Sequence, residues 1–142
     1  MKFILMALMA IPVAVFPQDM RFTVSANNKT LTVSPDDENT DTVFEIEKTQ
    51  YGNSSLLTIR VANEEIDKDW KRSFSIYDKD DNAIKDFTLM KDGSYCIKMN
   101  ELVTQLHQQQ EYFIYTTALP KDPKKAMLVK IARRPVCRIR IL

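Results

Sequence analysis

Short segments in which apolar and polar residues alternate recur along this chain, and they constrain its fold more than any other feature. Phe22 and Val24 alternate with Thr23 and Ser25. The same alternation occurs at Phe44 and Ile46, Leu57 and Ile59, Phe74 and Ile76, Met127 and Val129, and Ile139 and Ile141. Because successive side chains of a strand point to opposite faces of a sheet, each segment is expected to form a strand with one buried face.

Clusters of turn-forming residues separate these segments at nearly regular intervals. Asn27 and Asn28 tolerate positive φ and predict a tight hairpin, and a second turn is predicted over Asp78 to Asn82. The length of 142 residues and the regular spacing of these turns predict one mainly β domain. We expect an immunoglobulin-like antiparallel β-sandwich of about eight or nine strands.

One segment has the spacing of a helix. Met99, Leu102, Val103 and Leu106 fall on a single helical stripe. Asn100 could cap the first turn by accepting a hydrogen bond from a free backbone N–H. The pattern predicts one short helix over about 100–109.

The N-terminal segment has the layout of a secretory signal. Lys2 precedes an apolar run of 14 residues, from Phe3 to Phe16. This run is shorter than the roughly 20 residues that a membrane-spanning helix needs. We therefore expect a signal peptide over 1–17, a single β-sandwich domain over 18–142 and an exported protein with no transmembrane span in its mature chain. A buried strand or an uncleaved hydrophobic helix is the alternative.

Composition argues against several classes of site. The chain has one His, two Cys and two Gly, and its formal net charge is +1. Zinc sites rich in His and Cys, and glycine-rich phosphate loops, are therefore excluded, and no metal site or cofactor is predicted. The near-zero net charge and the exported setting also make a nucleic-acid partner unlikely.

Basic residues are concentrated near the C-terminus. The stretch from Lys121 to Leu142 contains eight basic residues and one acidic residue, Asp122. The candidate contact surface for another protein or an anionic envelope component consists of Lys124, Lys125, Arg133, Arg134, Arg138 and Arg140. Alternatively, this stretch could face the acidic residues between Asp36 and Glu47 across neighbouring strands.

Three further features could carry chemistry, and each also has a structural explanation. Cys96 and Cys137 could form a disulfide in an oxidising compartment, although Cys137 is in phase with the core and Cys96 is not, so two buried thiols remain the alternative. The run from Asp78 to Asn82 resembles the start of a calcium loop but lacks its later glycine and glutamate, which favours a plain turn. His107, the single histidine, is expected near the end of the helix.

Two longer runs carry a family resemblance. FSIYDKDDNAIKDF is followed by IKMNELVTQLHQQQEYFIYT and a basic terminal strand. Residues 74–142 resemble small immunoglobulin-like β-sandwich modules of exported bacterial proteins, including the C-terminal sorting domains of the type IX secretion system. The resemblance implies a sandwich fold and an exported setting, and it assigns no functional residue.

We therefore expect a non-enzymatic, exported or periplasmic binding module. A structural subunit of a cell-envelope or virion assembly, in which edge strands pair with neighbours, is the first alternative. A small hydrolase that uses carboxylates is the second, and no pair of acidic residues stands out for that role.

Overall fold

The computed structural model describes residues 20–34, 42–47, 55–64, 68–129 and 132–142. Residues 1–17, the expected signal peptide, lie outside this part of the chain. The strands are β1 (Arg21–Ala26), β2 (Lys29–Val33), β3 (Val43–Ile46), β4 (Leu56–Ala62), β5 (Trp70–Tyr77), β6 (Ala83–Asp86), β7 (Thr88–Leu89), β8 (Tyr95–Lys98), β9 (Glu111–Pro120) and β10 (Arg134–Ile141). The helices are α1 (Met99–Gln105) and α2 (Pro123–Ala126).

The ten strands form two five-stranded sheets that enclose one core. Sheet A has the order β2-β1-β4-β8-β7, and sheet B has the order β3-β10-β9-β5-β6. Phe74 lies at the centre, with its ring 4.7 Å from that of Tyr95 and 5.5 Å from that of Phe22, both in sheet A. These rings meet edge to face, so β5 of sheet B is packed directly against sheet A.

The strand order is that of an immunoglobulin-like sandwich, which confirms the predicted fold class. β1-β4-β8-β7 and β10-β9-β5 correspond to the two sheets of that fold. The hydroxyl of Tyr112, near the start of β9, accepts a hydrogen bond from the backbone N–H of His107 at 2.8 Å. This contact is the tyrosine corner found at the same place in such sandwiches.

Two details of the prediction need correction. The sandwich is not wholly antiparallel, because β3 pairs with β10 in parallel, with Phe44 opposite Ile139. The prediction also missed β6, whose four residues alternate too weakly to show as a strand. β6 and β7 are separated by Phe87 alone, and the chain passes from sheet B to sheet A at that residue.

Helix α1 is shorter than predicted and is not capped by Asn100. It begins directly after β8, and Lys98 occupies the N-cap without a side-chain hydrogen bond. The helix ends at Gln105, and its C-cap Leu106 is extended. The backbone N–H of Gln109 donates to the carbonyl of Ile141. That bond ties the segment before β9 to the end of β10. His107, which was expected near the end of the helix, is exposed just beyond it.

The strand predicted around Met127 and Val129 is wrong over its described residues. Residues 127–129 instead form a turn that follows α2. The N-cap of α2, Asp122, accepts from the backbone N–H of Lys124, and Pro123 lies in the first turn. Asp followed by Pro is a helix-start signal, and the alternation of apolar residues further along obscured it. Residues 130 and 131, the end of the predicted strand, lie outside the described residues.

One charged side chain points inward at the end of the sandwich. Arg72 has the same parity as Phe74, and only 9% of its side chain is exposed. Its guanidinium donates to Glu64 at 2.6 Å and to the hydroxyl of Thr116 at 3.1 Å. These bonds satisfy the guanidinium where the core meets solvent.

Candidate binding surface

The six predicted contact residues fall in three places. Arg133, Arg138 and Arg140 lie on the outer side of sheet B, whereas Lys124 and Lys125 are exposed on α2. Arg134 lines a separate groove of about 370 Å³ at the end of the sandwich, together with Trp70, Arg72 and Thr116. The single basic patch expected from the sequence is therefore divided.

The three arginines on sheet B are paired with acids. Arg140 contacts Glu111 of β9 at 2.5 Å and Glu45 of β3 at 3.6 Å. Arg138 also contacts Glu111, at 3.3 Å, and Arg133 bonds to Asp81 in the turn after β5. The pairing of Arg140 with Glu45 matches the alternative in which acidic and basic stretches face each other across neighbouring strands. The positive charge of these arginines is largely compensated.

Three aromatic side chains, which the sequence analysis did not single out, lie among these arginines. Phe113 and Tyr115 of β9 alternate with the buried Tyr112 and Ile114, so they point away from the core. Tyr77 of β5 lies opposite Phe113, and its ring is 5.4 Å from that of Tyr115. All three are partly exposed. In the sequence, these rings alternate with the core residues of their strands, and that alternation could have placed them on the outer side.

The arginines stack on these rings. The guanidinium carbon of Arg133 lies 4.3 Å from the ring centre of Tyr115 and 4.7 Å from that of Tyr77. That of Arg138 lies 5.6 Å from the ring centre of Phe113. Such contacts hold a guanidinium flat against a ring and leave its rim free to bond. We call Tyr77, Phe113, Tyr115, Arg133 and Arg138 the aromatic–arginine face.

A shallow groove opens on this face. It has a volume of about 260 Å³ and is lined by Phe113, Tyr115, Pro135, Cys137 and Arg138. The ladder of β9 and β10 shifts register between Pro135 and Cys137. Such a bulge bends the strand locally, and here it lies beside the groove.

The outer side of sheet A has different chemistry. One row crosses all five strands and carries only hydroxyl and thiol groups, namely Thr30, Ser25, Thr58, Cys96 and Thr88. In the next row, Thr23 lies between Thr32 and Arg60. We call this surface the hydroxyl face. Leu56, Arg60 and Lys98 flank these small polar groups on the same side of the sheet. The described strands of sheet A place no aromatic ring on that side, so the face lacks the aromatic anchors that are typical of protein interfaces.

Both cysteines are free and buried, and no disulfide joins them. Cys96 lies in sheet A on the hydroxyl face, with its sulfur 3.5 Å from the hydroxyl of Thr58, whereas Cys137 lies in sheet B and belongs to the core. This agrees with the phase difference seen in the sequence. Burial raises the pKa of the Cys137 thiol to about 12, which keeps that thiol protonated near neutral pH.

The acidic run after β5 forms a turn, as the sequence favoured. The carboxylate of Asp78 accepts from the backbone N–H groups of Asp80 and Asn82, both at 2.9 Å. The bond from Asn82 lowers the pKa of Asp78, and hydrogen bonds from Ser94 similarly lower the pKa of Asp92. Across the described parts of the chain, no group of three or more His, Cys, Asp or Glu side chains could hold a metal ion.

Comparison of the chain with protein-family models, with curated proteins and with solved structures found no match. The resemblance to sandwich modules of exported bacterial proteins therefore stays a prediction. Within the described residues, neither helix is long and apolar enough to cross a membrane.

Proposed function

We propose that this chain is a non-enzymatic, exported binding module whose aromatic–arginine face contacts another protein. The observation that carries the proposal is the presence of Tyr77, Phe113 and Tyr115, partly exposed and stacked with arginines, on one side of a rigid sheet. Aromatic residues and arginine are the side chains that most often anchor protein interfaces.

Charge on this face favours a protein partner over a polyanion. Arg138 and Arg140 share Glu111, and Arg133 is held by Asp81. An anionic polymer would have to displace these carboxylates, whereas a protein can cover the rings while the ion pairs stay in place. The pairs also hold the arginines in place before binding, which reduces the entropy lost when a complex forms.

The alternative of an assembly held by edge strands has weaker support. The edge strands of sheet B, β3 and β6, have four residues each, and β7 at one edge of sheet A has two. Short edge strands offer few backbone groups to a neighbouring chain. The hydrolase alternative gains nothing from Asp78 or Asp92, because a general acid needs a raised pKa and theirs are lowered.

Photo-crosslinking in the cells that make the protein tests the contact surface. A photoreactive amino acid at position 113 should give one discrete adduct with a second protein. The same amino acid at position 32, exposed on the hydroxyl face, should give none. Tyr115→Ala should weaken binding of the identified partner by roughly thirtyfold, as expected for an anchor residue, and Thr23→Ala should have little effect.

Equal adducts from positions 32 and 113, or no adduct from position 113, would contradict the proposal. Binding to heparin that is lost in the Tyr115→Ala variant would instead indicate an anionic partner. The exported setting rests on the sequence of residues 1–17, and N-terminal sequencing of the protein tests it. An intact Met1 on protein recovered from the cytosol would overturn that part.

A further inference from the structure

The loop between β9 and β10 carries two adjacent apolar side chains that are almost fully exposed to solvent. Met127 and Leu128 are each 86% exposed. Among the residues that the structure describes, the other exposed large hydrophobic side chains are Leu56, Leu89 and Met90, at 38%, 61% and 43%. Single exposed apolar residues are common on protein surfaces, but two adjacent side chains at the tip of a loop form a continuous apolar patch.

Backbone hydrogen bonds hold this tip in shape. The N–H of Met127 donates to the carbonyl of Pro123 at 3.2 Å, and that of Leu128 donates to the carbonyl of Lys125 at 3.1 Å. The base of the loop is fixed by a 2.7 Å bond from the N–H of Lys121 to the carbonyl of Asp69. The helix α2, which leads to the tip, buries none of its residues.

The side chains next to the tip are cationic. Lys121, Lys124 and Lys125 are exposed, and no described acidic side chain is paired with them. Asp122, the one acid in this segment, uses its carboxylate to cap α2 at Lys124. The loop therefore has an apolar apex above a positively charged base.

We propose that this loop binds an anionic lipid surface, with Met127 and Leu128 inserted at the boundary between headgroups and acyl chains. Lysines at the base would then lie at the level of the lipid phosphates. Charge complementarity selects this occupant, since apolar residues beside lysines match a membrane interface, where hydrocarbon lies just beneath negative charge. The proposal uses none of the aromatic–arginine face and stands independently of the proposed protein partner.

Vesicle flotation with the full chain tests the proposal. The probe is vesicles of phosphatidylcholine with or without phosphatidylglycerol, in low and high salt. We expect binding only when phosphatidylglycerol is present, and weaker binding in high salt. A Met127→Ser/Leu128→Ser double variant should lose at least about tenfold in binding, and Lys124→Gln/Lys125→Gln should lose roughly thirtyfold.

The chain supplies a matched control. Leu89→Ser/Met90→Ser removes the same two residue types from another exposed site beside a lysine, Lys91, and should leave vesicle binding unchanged. Absence of binding to anionic vesicles, unchanged binding by the loop variant, or an equal loss in this control would overturn the proposal. A dimer in sedimentation that disappears in the Met127→Ser/Leu128→Ser variant would also overturn it, since the tip would then be a contact between copies.

Discussion

The two sheets are alike on their inner sides and unlike on their outer sides. Inside, both present aliphatic and aromatic residues to one core, as in the contact of Phe22 and Tyr95 with Phe74. Outside, sheet A presents the hydroxyl face, and sheet B presents rings, arginines and carboxylates. The inner side of a strand is fixed by the need to bury apolar area, whereas the outer side is free to vary.

This difference suggests a division of roles, in which the inner sides stabilise the fold and an outer side serves binding. The hydroxyl face has β-branched residues that suit a strand and need no partner. The aromatic–arginine face leaves three rings partly exposed, and such exposure contributes little to burial of apolar area. If that face serves binding, its side chains should contribute little to folding, and those of the core should contribute most.

The largest expected effect comes from comparing two phenylalanines on neighbouring strands of sheet B. Phe74→Ala removes the ring at the centre of the core and should lower the free energy of unfolding by about 3–5 kcal/mol. Phe113→Ala removes a ring from the outer side and should cost about 1 kcal/mol or less. Urea unfolding followed by circular dichroism measures both.

Equal costs at the two positions would contradict the distinction between the inner and outer sides of sheet B. The rings of sheet B would then belong to a second structural layer, and the case for a binding surface would weaken.

A smaller effect is expected from the buried thiol of sheet B. The pKa of Cys137 is about 12 in the folded protein because of burial, and about 8.5 in an unfolded chain. The stability that burial of the neutral thiol provides is therefore complete below about pH 8.5 and is lost as pH rises towards 12. Relative to Cys137→Ala, the wild type should lose about 2 kcal/mol between about pH 8 and pH 10.

The control for this experiment is Ile139→Val, on the same strand and the same side, which removes no ionisable group. Its cost should not vary with pH. A Cys137→Ala difference that is likewise constant over this range would show that the thiol is not buried as described.

Much of the fold follows from the sequence because burial imposes a period of two on each strand. Alternation located most strands and the side on which each cysteine lies, and turn-forming residues located the turn after Tyr77. It failed around Met127, where the chain forms a turn after the short helix that Asp122 and Pro123 start. It could not show that β3 lies beside β10, because pairing between distant strands is decided by tertiary packing.

The candidate binding surface could be predicted from the sequence less well than the fold. Charge counting selected Arg133, Arg138 and Arg140, but it could not show that acids on other strands compensate them. It also passed over Phe113 and Tyr115, because neither side chain carries a charge. Phe113 and Tyr115 flank the apolar Ile114 in the sequence, and alternation along the strand could have placed both rings on the outer side.

The smallest expected effect tests the hydroxyl face directly. The hydroxyl of Thr58 lies 3.5 Å from the sulfur of Cys96, a weak partner, so Thr58→Val should change the free energy of unfolding by less than about 0.5 kcal/mol. On sheet B, Thr117 shares a 2.7 Å hydroxyl bond with Ser73, and Thr117→Val should cost about 1 kcal/mol. Thermal unfolding of the two variants side by side resolves the difference. A larger cost at Thr58 would mean that the hydroxyl groups of sheet A form a supporting network, and the two outer sides would then differ in how they stabilise the sandwich.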